Sequence, residues 1–573
     1  MEQTDQHQDA IIVGAGFAGM YQLVKLRELG LAATVIERGP EVGGTWYWNR
    51  YPGARCDITS LDYSYSFDDE LQQEWEWSEK FATQPEILSY AQHVAERFDL
   101  KKDIHFNKSV VGAEWNEERG VWVVETARSD DSGAVRDGET DRSRFTANYL
   151  ILAVGNLSKS HVPDIPGLDE FQGRLLHSAE WPHGHVDFSG RRVGVIGTGS
   201  SGTQIIPLVA EEAAHLTVFH RTPNFTLPAN NRPLTEDEVV ERKLDYPAYR
   251  ESAKHSFTGV PVPVPTQSVF DVSAEERERV FEDAWNSGRY GALLAAYTDL
   301  STDADANELV IDFIHRKVRS IVEDPKIASV LEPRGNYFGT KRTCLDTRYY
   351  ETFNRKNVTL VDVTQDPIER ITPTGVQTGT QSFEFDDLIL ATGFDAMTGS
   401  LLAINPIGED GVSLREAWAE GPYTHLGIAS HGFPNMFIIT GPGSPSVLSN
   451  MIVSIEQHVD WISRLIEKIE RENIAFVQPT DAAQRNWMQT VHDEAAATLY
   501  LHGNSWYLGA NIPGKPRVFM PYVAGVGKYR KLAEEEANAG YPRFEFTQRP
   551  EYSSTQFTSV NEDERAESHV ANK

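Results

Sequence analysis

Two glycine loops of the same grammar stand far apart in this 573-residue chain: Gly14-Ala15-Gly16-Phe17-Ala18-Gly19 and Gly197-Thr198-Gly199-Ser200-Ser201-Gly202. Each follows a short apolar run, Ala10–Val13 or the "RVGVI" that begins at residue 192, and opens an apolar-periodic stretch. That order predicts strand, tight turn and helix in both places. In such a loop the first glycine permits the turn, the second lets the backbone approach a pyrophosphate, and the third allows close helix–strand packing. The helix start then offers unpaired N–H groups and a positive dipole end to phosphates. A structural turn is the alternative for either loop taken alone. The duplication predicts an α/β chain with two Rossmann-like dinucleotide-binding domains.

The residues closing each unit differ. After the first loop the strand Ala33–Glu37 ends on a carboxylate, and Glu37 can accept hydrogen bonds from ribose hydroxyls. The matching place in the second unit reads His220-Arg221-Thr222. A carboxylate there would repel a 2′-phosphate, whereas a guanidinium forms charge-assisted bonds to it. Arg221 as an ordinary surface arginine is the alternative. The pair points to FAD in the first unit and NADPH in the second, with NADPH delivering hydride to the flavin.

Charge and cysteine usage exclude other classes. With 53 basic and 84 acidic residues the net charge is −31, which disfavours nucleic acid and anionic membranes as partners. An anionic cofactor must then be held by local basic residues and backbone donors. No apolar run is long enough to span a bilayer, and "MEQTDQHQDA" lacks the basic and apolar regions of a signal peptide. The two cysteines, Cys56 and Cys344, are in no metal or redox spacing, so neither a Cys-ligated zinc site nor a flavin disulfide reductase is expected. No metal site and a cytoplasmic location are the resulting expectations.

Along the chain, residues 1–155 read as the first part of the FAD domain and 156–222 as the first part of the NADP domain. Residues 223–333 read as a helical insertion. There, Ser273 with Glu276 suggests a capping box, Val280, Phe281, Ala284 and Trp285 share a helical face, and a later helix is expected to stop at Pro325. Residues 334–384 return to the NADP domain and 385–548 to the FAD domain, where Val459, Ile462, Ile466 and Ile469 line one side of an amphipathic helix. From about residue 549 the chain is polar and charged, and a disordered tail is expected.

Between the loops lies "FQGRLLHSAEWP" (171–182), in which Phe171, Gly173, His177, Trp181 and Pro182 match Phe-x-Gly-x-x-x-His-x-x-x-Trp-Pro. Taken alone, a linker with buried aromatics and a structural histidine is an equally good reading. A second signature, Gly-x-Trp-x-x-x-x-(Phe/Tyr)-Pro-Gly-x-x-x-Asp, is matched by Gly44, Trp46, Tyr51, Pro52, Gly53 and Asp57. With both loops, and with "GTKR", "LILATGFDAMTGS" and "NSWYLGANIPGKPRVFMPY", the chain resembles type I Baeyer–Villiger monooxygenases from about residue 9 to about 548.

That resemblance implies a catalytic Arg342 oriented by Asp57, the bland alternative being a structural ion pair. It implies FAD contacts at Gly14, Gly16, Phe17, Ala18, Gly19, Glu37, Thr45, Trp46, Asp57, Tyr63, Val111 and Met451, although Trp46 and Met451 could equally be core packing. It implies NADP contacts at Arg55, Gly197, Thr198, Gly199, Ser200, Ser201, Gly202, Gln204, His220, Arg221, Thr222, Lys341 and Trp506. Ser444, Pro445, Ser446, Val447 and Leu448 correspond to a substrate-facing bulge, and His177 and Trp181 to residues governing domain movement. Enzymes of this kind retain NADP+, trap O2 as a flavin peroxide and convert a ketone, through a tetrahedral adduct, to an ester or lactone; some oxidise sulfides. An N- or S-hydroxylating flavin monooxygenase is the nearest rival, and a non-catalytic NADPH-binding flavoprotein the rival from another class. The expected partner is a small ketone, and the expected state a monomer or weak oligomer.

Overall fold

The computed structural model describes residues 6–135 and 142–549, so the tail expected to be disordered lies, from residue 550 on, outside the described residues. The first sheet is built from β1 (Gln6–Val13), β2 (Ala33–Ile36), β3 (Ile104–His105), β4 (Lys108–Asn116), β5 (Val121–Arg128) and β6 (Arg142–Leu152). Its order is β3-β2-β1-β6-β5-β4. β1 runs parallel to β2 and β6, while β4, β5 and β6 are antiparallel neighbours. Continuous apolar runs suit the parallel strands because layers cover both faces; Ala10–Val13 and all of β2 are buried.

Next along the chain come β7 (Arg174–His177), β8 (Arg192–Ile196) and β9 (His215–His220), then the short parallel pair β10 (Thr226–Pro228) and β11 (Cys344–Asp346). They are followed by β12 (Val358–Asp362), an antiparallel trio of β13 (Ile368–Thr372), β14 (Gly375–Thr378) and β15 (Ser382–Glu384), and β16 (Asp387–Leu390). The second sheet has the order β12-β9-β8-β16-β7, all parallel. A further strand, β17 (Met436–Ile438), joins the first sheet beside Leu150–Leu152 of β6.

One domain boundary is corrected here. The return to the first domain was expected at residue 385, yet β16 pairs in the second sheet between β8 and β7, which carries that sheet to Leu390. The stretch 171–182, read from the sequence as an aromatic-anchored connection, also contributes a strand to the second sheet. Arg174–His177 is the edge strand of the second sheet, in register with Asp387–Leu390, and the buried Asp387 carboxylate accepts from Arg174 Nε at 2.7 Å and from Arg191 Nη2 at 2.9 Å.

The insertion folds as helices Glu236–His255, Ala274–Asn286, Ala304–Ile321 and Pro325–Leu331. Only half of the expected capping box forms. Ser273 Oγ accepts from Glu276 N, but the Glu276 carboxylate turns instead to the guanidinium of Arg279, a stronger charge-assisted partner. Pro325 opens a helix rather than closing one: the preceding helix ends at Ile321, and Asp324 caps the next with Pro325 in its first turn, where no N–H is missed. Helix Met451–Arg471 presses its apolar side, including Val459, Ile462, Ile466 and Ile469, into the core shared with helix Phe17–Glu28. Among the described residues no helix is long and apolar enough to cross a membrane.

Candidate active site

Both glycine loops open into one cleft of about 1490 Å³, larger than the roughly 300–1,000 Å³ of a single-ligand pocket. In the first loop Gly14 has φ +103°, and a Cβ on it would lie 2.6 Å from the Ala153 carbonyl oxygen. A Cβ on Gly19 would lie 1.9 Å from the Gly14 oxygen, so this glycine serves packing and does not line the cleft, whereas Gly14, Gly16, Phe17 and Ala18 do. Gly202 has the same task in the second loop, 2.3 Å from the Gly197 oxygen, behind the lining residues Gly197, Thr198, Gly199, Ser200 and Ser201. Helices Phe17–Glu28 and Ser200–Glu212 begin at these loops with glycine caps and no side-chain cap. Their first N–H groups therefore stand ready for an anion.

Glu37 is buried at the end of β2 and lines the cleft. Its oxygens accept from Ala15 N and Gly39 N, each at 2.7 Å. Burial raises the carboxyl pKa, and the two N–H bonds pull it back only partly. The matching residue at the second loop, His220, is buried behind the cleft and pairs through Nδ1 with Thr198 Oγ1 at 2.8 Å. Burial pushes its pKa down to about 4, so a neutral imidazole supports the loop from beneath and does not itself face the cleft. Arg221, Thr222 and Lys341 line the cleft. Burial, and then the charge of Arg221, lower the Lys341 pKa, which marks two cations converging on a place that suits a dianion.

The Tyr51–Asp57 segment is seated on helix Ser200–Glu212. Tyr51 OH donates to Gln204 Oε1 at 3.0 Å, Gln204 Nε2 donates to the Arg55 carbonyl at 3.2 Å, and Gly53 leaves room for the Gln204 carbonyl. Arg55 lines the cleft while tied to Glu79 at 2.6 Å. Asp57 ends this segment. It receives Arg342 in a bidentate pair, Nε to Oδ2 at 2.5 Å and Nη2 to Oδ1 at 2.7 Å, joining residues 285 positions apart. Arg342 Nη1 also donates to the Val447 carbonyl. Burial alone would lower the guanidinium pKa, but the Asp57 charge and hydrogen bonds override it and hold the pKa well above the ordinary value.

Thr45, Trp46, Tyr63, Met451 and Trp506 all reach the cleft, and Trp46 Nε1 donates to Tyr63 OH at 3.1 Å. Val111 does not. A bulge between Val110 and Gly112 breaks strand alternation, leaving Val111 exposed and Val110 in the wall. In the expected substrate loop only Val447 lines the cleft; Ser444 Oγ turns to the Gly441 carbonyl, and Ser446 Oγ accepts from Asn156 Nδ2 at 2.8 Å. His177 and Trp181 lie outside the lining, both buried. Because His177 Nδ1 accepts from Ala179 N, its Nε2–H faces the His161 carbonyl and Thr392 Oγ1, each 3.3 Å away, and both of those residues line the cleft. Burial keeps this histidine below its ordinary pKa. Sequence reasoning gave no site role to Asn156, His161 and Thr392, and named Tyr51 only as part of a signature; all four line the cleft.

A cleft that joins two glycine-loop helices to a clamped arginine defines a class, and the comparisons agree. The family model described as FMO-like, flavin-binding monooxygenase-like, matches residues 7–230. A Baeyer–Villiger monooxygenase of Pseudooceanicola batsensis is 42% identical over 93% of this chain and 95% of its own length. The phenazine N-monooxygenase of Lysobacter antibioticus is 40% identical over 94% and 97%. The solved structure of oxidised steroid monooxygenase bound to NADP is 45% identical, covers 95% of this chain and all of its own, and has a TM-score of 0.88. The chain belongs to the Baeyer–Villiger monooxygenase family of flavin-dependent enzymes.

Proposed function

We propose that this chain is an FAD- and NADPH-dependent Baeyer–Villiger monooxygenase that inserts one atom of O2 beside the carbonyl of a small ketone, giving an ester or lactone. The observation that carries this reading is the bidentate Arg342–Asp57 pair in the wall of a cleft entered by both glycine loops. The uncapped helix starts, the glycine cradles and the Lys341–Arg221 pair fit two dinucleotides, each in its own Rossmann-like half. FAD would lie along Gly14–Ala18, Glu37, Thr45, Trp46, Tyr63 and Met451. NADPH would lie along Gly197–Ser201, with its 2′-phosphate between Arg221 and Lys341 and its other end toward Arg55 and Trp506. When bound, FAD accepts hydride from NADPH and activates oxygen.

The chain's own residues do the rest. Arg342 stays protonated at every working pH, and Asp57 fixes the plane of its guanidinium, so a permanent cation waits where negative charge grows on the ketone oxygen. His177 is read as a conformational residue with Trp181 as its anchor: its Nε2–H contacts two cleft residues from the edge strand, so movement of that strand is felt in the cleft. Replacing His177 is expected to slow turnover while FAD stays bound; loss of FAD would instead mark a structural role. The same site is expected to oxidise sulfides. Two buried, unpaired cysteines accord with a cytoplasmic protein. Its net charge of −31 accords with a monomer or weak oligomer free of nucleic-acid and membrane partners.

N-oxidation is the second reading, favoured by the Lysobacter relative. Aerobic NADPH oxidation by the purified yellow protein, with a cyclic ketone, an aryl ketone or an aromatic nitrogen heterocycle, separates the two. A product one oxygen heavier with an ester or lactone linkage supports the first reading. An N-oxide without ester supports the second.

A further inference from the structure

Arg342 is gripped by Asp57 and Val447, and its guanidinium carbon also sits over an aromatic ring. The Tyr290 ring lies 4.3 Å from the guanidinium carbon. Arg342 lines the cleft and Tyr290 does not, so the ring backs the cation from behind. Such contacts are strongest when water is kept away, and Tyr290 is packed against both of the large hydrophobic cores.

The turn that carries Tyr290 is held in place with some care. Gly288 has φ +57°, and a Cβ on it would lie 2.1 Å from the Ala229 carbonyl oxygen, so a side chain does not fit there. Lys80, from the first part of the chain, donates to the carbonyls of Ser287 at 2.9 Å and Gly288 at 3.1 Å. The helical insertion thus reaches the Arg342 side chain through a pinned aromatic residue.

We propose that Tyr290 is a positioning residue for the oxygen-insertion step: its ring closes one face of Arg342 and leaves the other for the ketone oxygen. The catalytic half of this statement rests on the function proposed above; the shielding half does not.

The test uses the holoenzyme with Tyr290→Met, which fills space without an aromatic face, and Tyr290→Phe, which keeps the ring. Three quantities are read: anaerobic flavin reduction by NADPH, ester formed per NADPH oxidised, and the rate at which phenylglyoxal labels Arg342, followed by peptide mass. In Tyr290→Met, flavin reduction is expected to hold while ketone kcat/KM and coupling fall about tenfold and Arg342 labelling quickens. Tyr290→Phe is expected to match the unaltered enzyme in all three. Lys80→Met, which loosens the turn without touching the ring, should shift labelling the same way by less, and it serves if Tyr290→Met does not fold. The proposal is overturned if neither Tyr290→Met nor Lys80→Met changes labelling, if Tyr290→Phe falls as far as Tyr290→Met, or if flavin reduction drops in the same proportion as coupling. Labelling needs no turnover, so a chain that makes no ester from any ketone refutes the reaction while labelling still decides the role of Tyr290.

Discussion

At the first glycine loop a Cβ on Gly19 would lie 1.9 Å from the Gly14 oxygen; at the second, a Cβ on Gly202 would lie 2.3 Å from the Gly197 oxygen. The backbone solution is the same, because a helix can start that close to a strand only where neither carries a side chain. The residue at the end of the next strand breaks the symmetry. Glu37 is a buried carboxylate that braces its own loop with two N–H bonds and faces the cleft. His220 is a buried neutral imidazole that braces the other loop through Thr198 and leaves the cleft to Arg221 and Lys341. The glycine-loop geometry is therefore repeated, and we propose that discrimination between nucleotides falls on the residues just beyond it.

The sharpest way to break the comparison is to crowd one loop at a time. Gly19→Ala is expected to abolish FAD binding, seen as loss of yellow colour on purification. Gly202→Ala should leave the yellow protein intact and remove NADPH binding. If either substitution emptied both sites, the loops would not be independent. A smaller effect is expected from Arg221→Ala, which removes a charge-assisted contact and should weaken NADPH by roughly tenfold to a hundredfold. NADH should be unaffected, and an unchanged NADPH-to-NADH preference would refute the assignment.

The smallest expected effect is on pH dependence. Burial lowers the His220 pKa to about 4, so the unfolded chain takes up a proton there before the folded chain does. Its stability contribution is full above the ordinary histidine pKa and is lost as pH falls toward about 4. Between pH 7 and pH 5 that amounts to about 2 kcal/mol. His220→Asn, which keeps a partner for Thr198, should flatten this part of the acid limb in thermal melts. Glu37 runs the other way: its raised pKa makes the folded state bind protons more readily, so its contribution is lost as pH rises.

The loops, the carboxylate after β2 and the Arg221 position were legible in the sequence because each follows from local backbone geometry and simple electrostatics. The Arg342–Asp57 pair was not; with 285 positions between them, only resemblance to a family could join them. The edge strand β7 was hidden for a related reason. Four residues pair with a strand more than two hundred positions away, and nothing local says so. Val111, expected from the family resemblance alone, stands outside the cleft lining because a bulge between Val110 and Gly112 puts Val110 in the wall instead. In the loop expected to face substrate, the serines are spent on hydrogen bonds within the protein, leaving Val447 to reach the cleft and its carbonyl to hold Arg342.

The most direct test of the account is Arg342→Ala, measured twice on one preparation: anaerobic reduction of bound flavin by NADPH, and ester formed in air from a ketone the unaltered enzyme accepts. The account predicts unchanged flavin reduction, with ester formation down by roughly a hundredfold to a thousandfold. Ester at the unaltered level, or an equal loss in both measurements, would contradict it.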